Sequence, residues 1–151
     1  MRILESMKIP FEAHTYDASD GVLDGGTAAR RLGIEPERVY KTLVTQGRSR
    51  AYYVFVIPVL SELDLKAAAA SVGEKSIDMI PQKELLKATG YIHGGCSPVG
   101  MKKLFATVID ESALDKERIC VSAGRVGHQV ELSPQDLMRA AKAKTAHITA
   151  K

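Results

Sequence analysis

Two β-rich runs, Val39–Thr45 and Arg50–Val59, flank the tetrapeptide Gln46-Gly47-Arg48-Ser49, and no other feature constrains the fold of this chain as tightly. Runs rich in Val, Tyr, Phe and Ile joined through a Gly-containing turn predict a β-hairpin. The second run is apolar at nearly every position rather than at alternate ones. It therefore predicts a central strand covered on both faces, which demands packed layers on either side. A chain of 151 residues, 45% of them hydrophobic, is long enough to supply those layers from a single core.

Around the hairpin the elements alternate irregularly. A short N-terminal helix gives way at Pro10 to an extended Phe11–Tyr16, and Asp17–Gly26, rich in Asp and Gly, reads as a flexible loop. Thr27 is positioned to cap a helix running through Arg31 and stopped by Gly33. Leu63–Val72 is an Ala-rich helix ended by Gly73, Ser76–Ile80 a short strand, and Pro81 opens a helix that Gly90 closes. Beyond the loop 93–100, strands are expected near Thr107–Ile109, Ile119–Ser122 and His128–Leu132. Ser133-Pro134-Gln135-Asp136 then starts a final helix, with Ser as cap and Asp favourable to the helix dipole. This order predicts an α+β fold in one domain, a mixed sheet curled toward a barrel, rather than a doubly wound parallel sheet. No repeat or Pro/Ser-rich linker divides the chain.

Composition excludes several classes. The longest strongly apolar run, Ala51–Leu60, contains Pro58 and falls far short of the ~20 residues that span a bilayer. Glu5 and Lys8 interrupt any apolar leader segment, so a cytoplasmic location without membrane association is expected. Cys96 and Cys120 form neither a C-x-x-C pair nor a disulfide framework and read as free thiols. Net charge is +3, a mild bias compatible with a polyanionic partner without demanding one.

Three segments can carry chemistry. In Val39-Tyr40-Lys41-Thr42-Leu43, strand alternation places Lys41 on the face of Val39 and Leu43. Such a lysine either snorkels to water at an edge or aims its ammonium into a pocket, toward a phosphate, ribose or carbonyl oxygen. In Gly94-Gly95-Cys96-Ser97-Pro98-Val99-Gly100, the glycines leave backbone amides unshielded and Pro98 stiffens the loop. The loop is either a tight connection or a cradle for an anion or developing oxyanion; it is neither a Walker loop nor a nucleophile elbow. In Ser122-Ala123-Gly124-Arg125-Val126-Gly127-His128-Gln129-Val130, two glycines flank Arg125, which suits a hairpin turn or a held guanidinium that recognises phosphate or carboxylate. His14, His93, His128 and His147 are scattered, and no triad with Cys96 and no metal-ligand spacing can be drawn from them.

Taken in order, these segments resemble one family, the YbaK/EbsC proteins, relatives of the editing domain inserted in bacterial prolyl-tRNA synthetases. The matching residues are His14-Thr15-Tyr16, Val39-Tyr40-Lys41-Thr42-Leu43, Leu63-Asp64-Leu65-Lys66, Thr89-Gly90-Tyr91 ahead of the Gly94–Gly100 loop, and Val130-Glu131-Leu132-Ser133-Pro134. The likeness runs from about Phe11 to the last helix. It implies a barrel-like mixed sheet flanked by helices, with a pocket between the lysine strand and the glycine loop. It implies trans-editing, the removal of cysteine from Cys-tRNA(Pro), with the tRNA(Pro) acceptor end as substrate and the prolyl-tRNA synthetase as a transient partner. No cofactor or metal is implied. Lys41, with the backbone of Gly95 and Ser97, falls on the catalytic positions of the family; Tyr16, Thr42, Gly94, Cys96, Pro98, Gly100, Arg125 and Gln129 fall on substrate-binding ones.

Two residues depart from the family pattern. Val126 replaces a second basic residue, and Gln129 stands where an acid is expected, which puts the identity of the amino acid in question more than the deacylase class. Deacylation of an alanyl or seryl tRNA, or binding of tRNA or nucleotide without cleavage, therefore stays open. A role at the cell envelope, hinted at by the EbsC name, finds no support in a leader or anchor segment.

Overall fold

The hairpin forms as the pattern predicts. In the computed structural model, which describes residues 2–22 and 24–150, β2 (Tyr40–Gly47) pairs antiparallel with β3 (Tyr52–Pro58), from Tyr40↔Pro58 to Gln46↔Tyr52. The turn is shifted relative to the expectation: Gln46 and Gly47 belong to β2, and Arg50 and Ala51 to the turn. Gly47 leaves room there for the Glu74 carboxylate, whose carboxyl carbon a Cβ would meet at 2.3 Å. Arg50 takes a positive φ of 79° to close the turn.

Strand β3 lies in the middle of a five-stranded sheet ordered β4-β2-β3-β5-β8, where β4 is Ile77–Met79, β5 Ala106–Asp110 and β8 Lys144–Ala146. Its pairings with β2 are antiparallel, while β3–β5 and β5–β8 are parallel, so the sheet is mixed as expected. Both faces of β3 are covered. Phe55 and Ile57 pack on Ala68 and Ala69 of α3 (Leu65–Val72), while Val56 packs with Tyr40, Ile109, and Leu137 of α5 (Pro134–Ala141). Val54, Phe55, Val56 and Ile57 are each wholly buried. At ~1.5–3 kcal/mol per large apolar side chain, these four positions alone account for much of the drive to form the sheet.

A second, three-stranded antiparallel sheet is ordered β1-β7-β6, with β1 Glu12–Thr15, β7 His128–Leu132 and β6 Ile119–Ser122. The two sheets meet at one bridge, Val39↔Cys120, in parallel sense. Val39, Cys120, Val59 and Ala29 seal that seam. Beyond it, among the described residues, β2 pairs with β3 and β4 alone, so the sheets part and leave a gap between them.

Helix α2 (Gly25–Leu32) corrects one expectation. The cap is Asp24, not Thr27: the Thr27 backbone N–H and hydroxyl donate to the two Asp24 carboxylate oxygens at 2.8 Å each. The helix therefore starts three residues earlier, taking Gly25 and Gly26 out of the expected loop, and it ends at Gly33 as expected. Pro81 likewise sits at the cap rather than inside α4 (Gln82–Thr89). The Ser133 hydroxyl accepts from the Asp136 N–H and starts α5. The short helix α1 (Arg2–Ser6), β8 and the 3-10 turns Pro36–Arg38 and Glu111–Asp115 complete the described elements.

Candidate active site

The gap between the sheets is a cavity of about 590 Å3, within the range of small-molecule and cofactor sites. Residues 39–43 of the lysine strand run along it, and Ser122 and Gln129 of the second sheet face it from the far side. Gly94 and Cys96 enter from the glycine loop, Tyr16 from the end of β1, and Asp24 to Gly26 from the start of α2. The turn after β3, from Val59 to Glu62, closes the remaining rim.

Six of the residues singled out from sequence thus share one cavity: Tyr16, Lys41, Thr42, Gly94, Cys96 and Gln129. Among the described residues Lys41 makes no hydrogen bond and no ion pair. Burial pushes its ammonium below the usual lysine range, and the carboxylate of Glu62 opposes that effect. A half-buried cation kept without a partner is costly unless a ligand supplies one.

Two residues that line the same space, Thr42 and Gln129, each carry a buried oxygen without a partner, Oγ1 and Oε1 respectively. Gln129 as a whole is only 7% exposed. Buried polar atoms without partners are rare in native proteins. At the expected acidic position the wall is thus neutral, an amide standing in place of a charge.

Cys96 is a wall residue. Its thiol is buried, and that burial pushes its pKa up to about 12, with a smaller opposing contribution from Thr89. A thiol so placed stays protonated near neutrality, and the thiolate is the form that attacks. His93 also lines the cavity, but no hydrogen bond joins it to Cys96.

The remaining predicted residues lie around the cavity rather than along it. The Gly95 N–H already donates to the Ile92 carbonyl at 3.0 Å, and a Cβ at Gly95 would stand 3.0 Å from the Val126 nitrogen. Gly95 thus lets the loop touch the third segment. Ser97 is wholly buried, and its hydroxyl accepts from the Val99 N–H at 3.1 Å. The backbone amides of Cys96 and Ser97 donate to no group among the described residues. Pro98 and Gly100 line a separate small groove with Ile3 and Leu104. Tyr91 fixes that end of the loop by donating its hydroxyl to the Val99 carbonyl at 2.6 Å. Arg125 is exposed, in a turn where its carbonyl accepts from the His128 N–H at 3.1 Å.

Sequence reasoning missed Asp24 to Gly26 and Ser61-Glu62 as cavity walls. The signal for the first was an Asp three residues before Thr27, with two glycines between them, a helix start hidden by its loop-like composition. A different cluster, Glu12, His14 and Glu131, has ligand atoms within 4.8 Å of one another, but it lies outside the cavity. Glu131 there is committed to the structure: it accepts from His14 at 2.8 Å and pairs with Arg38. Burial pushes the Glu131 carboxyl up, and the hydrogen bond from His14 together with Arg38 outweighs this and holds it below the usual range.

Comparison with known proteins agrees with this geometry. The family model of the aminoacyl-tRNA editing domain matches residues 22–140. A protein of Enterococcus faecalis carrying the name Cys-tRNA(Pro)/Cys-tRNA(Cys) deacylase EbsC is 43% identical over 151 residues, covering 100% of this chain and 92% of that one. A proline–tRNA ligase of Thermosipho melanesiensis is 30% identical over 76 residues, 50% of this chain and 13% of the ligase. The crystal structure of a protein described as a trans-editing enzyme for prolyl tRNA synthetase superposes with a TM-score of 0.88 at 24% identity, covering 99% of this chain and 94% of that one. With the lysine strand and the glycine loop meeting at one cavity inside the matched span, the chain belongs to the aminoacyl-tRNA editing domain family.

Proposed function

We propose that this chain is a trans-acting aminoacyl-tRNA deacylase that clears cysteine from tRNA(Pro) in the cytoplasm, the whole chain working as one editing domain. The observation that carries the reading is the half-buried, unpartnered Lys41 ammonium in a cavity that Gly94 and Cys96 of the glycine loop and Gln129 of the second sheet also line. The name of the Enterococcus faecalis relative supports the choice of cysteine and tRNA(Pro). That the described helices include none long and apolar enough to cross a membrane is compatible with this setting.

The chemistry divides between positioning and electrostatics. Lys41 binds the terminal ribose or phosphate and orients the ester, and the amides of Cys96 and Ser97 donate to the carbonyl oxygen as negative charge develops. The attacking group is water or the substrate's own thiolate. It adds to the carbonyl carbon, the carbon–oxygen bond to the ribose breaks, and the ribose oxygen takes up a proton. Intramolecular thiolate attack avoids an entropic cost of several kcal/mol, up to ~7–11 in the best cases. Cys96, with its thiol pushed up to about 12, contributes shape to this reaction rather than a nucleophile.

The test is deacylation of Cys-, Ala-, Ser- and Pro-tRNA(Pro) by wild type and Lys41→Ala in parallel. Lys41-dependent loss of cysteine is the expected result. Loss of alanine or serine instead keeps the deacylase class and moves the specificity. Binding of tRNA without cleavage of any ester overturns the reading in favour of a binding module, as full activity of Lys41→Ala overturns the role of that lysine.

A further inference from the structure

Asp24, Lys41 and Glu62 are the charged side chains that line the cavity, accompanied by the titratable groups Tyr16, Tyr40, His93 and Cys96. Asp24 is spent on capping α2, both its carboxylate oxygens being taken by Thr27. Lys41 is the cation and Glu62 the remaining anion. Among the described residues the Glu62 carboxylate accepts no hydrogen bond and forms no ion pair. The two charges sense one another, yet they do not close into a salt bridge.

The main chain beneath Glu62 is held in place. Its carbonyl accepts from the Ala150 N–H at 2.9 Å, Leu63 bridges Thr149, and the Asp64 N–H donates to the Ile148 carbonyl at 2.8 Å. The inner wall, by contrast, is neutral: Thr42, Cys96, Ser122 and Gln129 carry no charge. Lys41 is half-buried and Glu62 stands exposed at the rim, and opposite charges set apart in one cavity fit a ligand that carries both signs. An aminoacyl ester of a nucleotide is such a ligand, with an ammonium on the carbon next to the carbonyl and a phosphodiester beyond the ribose.

We propose that Glu62 receives the α-ammonium of the aminoacyl group while Lys41 faces the ester and the terminal nucleotide. Glu62 is then a specificity residue, admitting substrates with a free amine and rejecting those whose amine is blocked. This inference rests on the deacylase reading given above. It also explains how a site with Gln129 in place of an acid still reads a positive charge: the charge is met on the opposite rim. The neutral inner wall is left to the amino-acid side chain.

The experiment compares kcat/KM on cysteinyl-tRNA(Pro) and N-acetylcysteinyl-tRNA(Pro), or on the same pair for whichever amino acid the wild type removes, using wild type, Glu62→Gln, Glu62→Asp and Gln129→Leu. Acetylation is expected to cost wild type about 10- to 100-fold, the range for a hydrogen bond to a charged group. Glu62→Gln is expected to lose that factor on the free amine and to become indifferent to acetylation, and Glu62→Asp to keep part of the discrimination. Full discrimination in Glu62→Gln overturns the proposal. So does an equal loss on both substrates, which marks a structural role. Indifference in Gln129→Leu with discrimination kept in Glu62→Gln moves the ammonium to the inner wall and also overturns it. A wild type inert on every aminoacyl-tRNA fails the deacylase reading itself, an outcome distinct from an active enzyme that ignores Glu62.

Discussion

Val39 and Cys120 bridge in parallel sense at the seam where the two sheets touch, and the Val39 carbonyl at the same time accepts from the Val59 N–H at 2.9 Å. Both Val39 and Val59 also line the cavity. The seam and the site are therefore one piece of structure, and a change that moves the first displaces the second.

Gly25 tests that coupling. A Cβ there would stand 2.4 Å from Val59 Cγ1 and 2.5 Å from Val59 Cβ, so Gly25→Ala forces either the valine or the start of α2 to move. Overpacking of this kind costs ~1–3 kcal/mol. Denaturant unfolding is expected to show that loss, and deacylation a lower kcat/KM, because both displaced segments line the cavity.

Lys41→Ala removes the cation and is expected to lower kcat by about 10²–10³, as loss of one preorganised electrostatic contact does. Its stability should move the other way. Burial sets the folded pKa of Lys41 below its unfolded value. The cost of holding it charged is thus present at neutral pH and fades as the pH rises through the folded and then the unfolded pKa. Lys41→Met is expected to melt above wild type at pH 7, and the gap to close toward alkaline pH. For wild type, kcat/KM should fall on the alkaline side earlier than an exposed lysine would dictate.

Cys96 offers a simple chemical check. With its thiol raised to about 12 and buried, it should react with iodoacetamide at pH 8 far more slowly than a free cysteine. Cys96→Ala is expected to retain activity within a few-fold. Abolished activity in a folded Cys96→Ala protein, read by circular dichroism, would restore the thiol as a reacting group.

Glu131 links β1, β7 and Arg38 from outside the cavity. Its carboxyl is held below the usual range in the folded state, so its stabilising contribution is present above the unfolded carboxylate pKa and is lost as pH falls through the folded one. Glu131→Gln is expected to cost on the order of 2 kcal/mol at pH 7. In thermal melts across the acid range, the difference from wild type should shrink and vanish at low pH.

The elements that sequence reasoning captured have strong local causes. Val54 to Ile57 is a β-branched and aromatic run that no helix would favour, and Ser133-Pro134 is a helix start written in four residues. Strand β8 escaped because Lys144–Ala146 is three residues long, and only its parallel pairing with β5 gives it a place. The start of α2 escaped because Asp24-Gly25-Gly26 has loop composition. For the site, local pattern pointed at Lys41 and the glycine loop, and family resemblance joined them to Gln129. Nothing local could place Glu62 or His93 in one cavity with Lys41, because that arrangement arises from the packing of two sheets and a distant turn.

The main chain at 62–64 is tied to residues 148–150 by the Ala150, Leu63 and Asp64 contacts, and Asp110 accepts from the Ile148 N–H at 3.1 Å. Those partners follow every catalytic candidate in the order of synthesis. On the ribosome the lysine strand and the glycine loop can thus pair and pack while the Glu62 rim still lacks its anchor. The complete rim of the nascent chain's cavity is accordingly a late event, set by the emergence of residues 148–150, which follow the last strand of the central sheet.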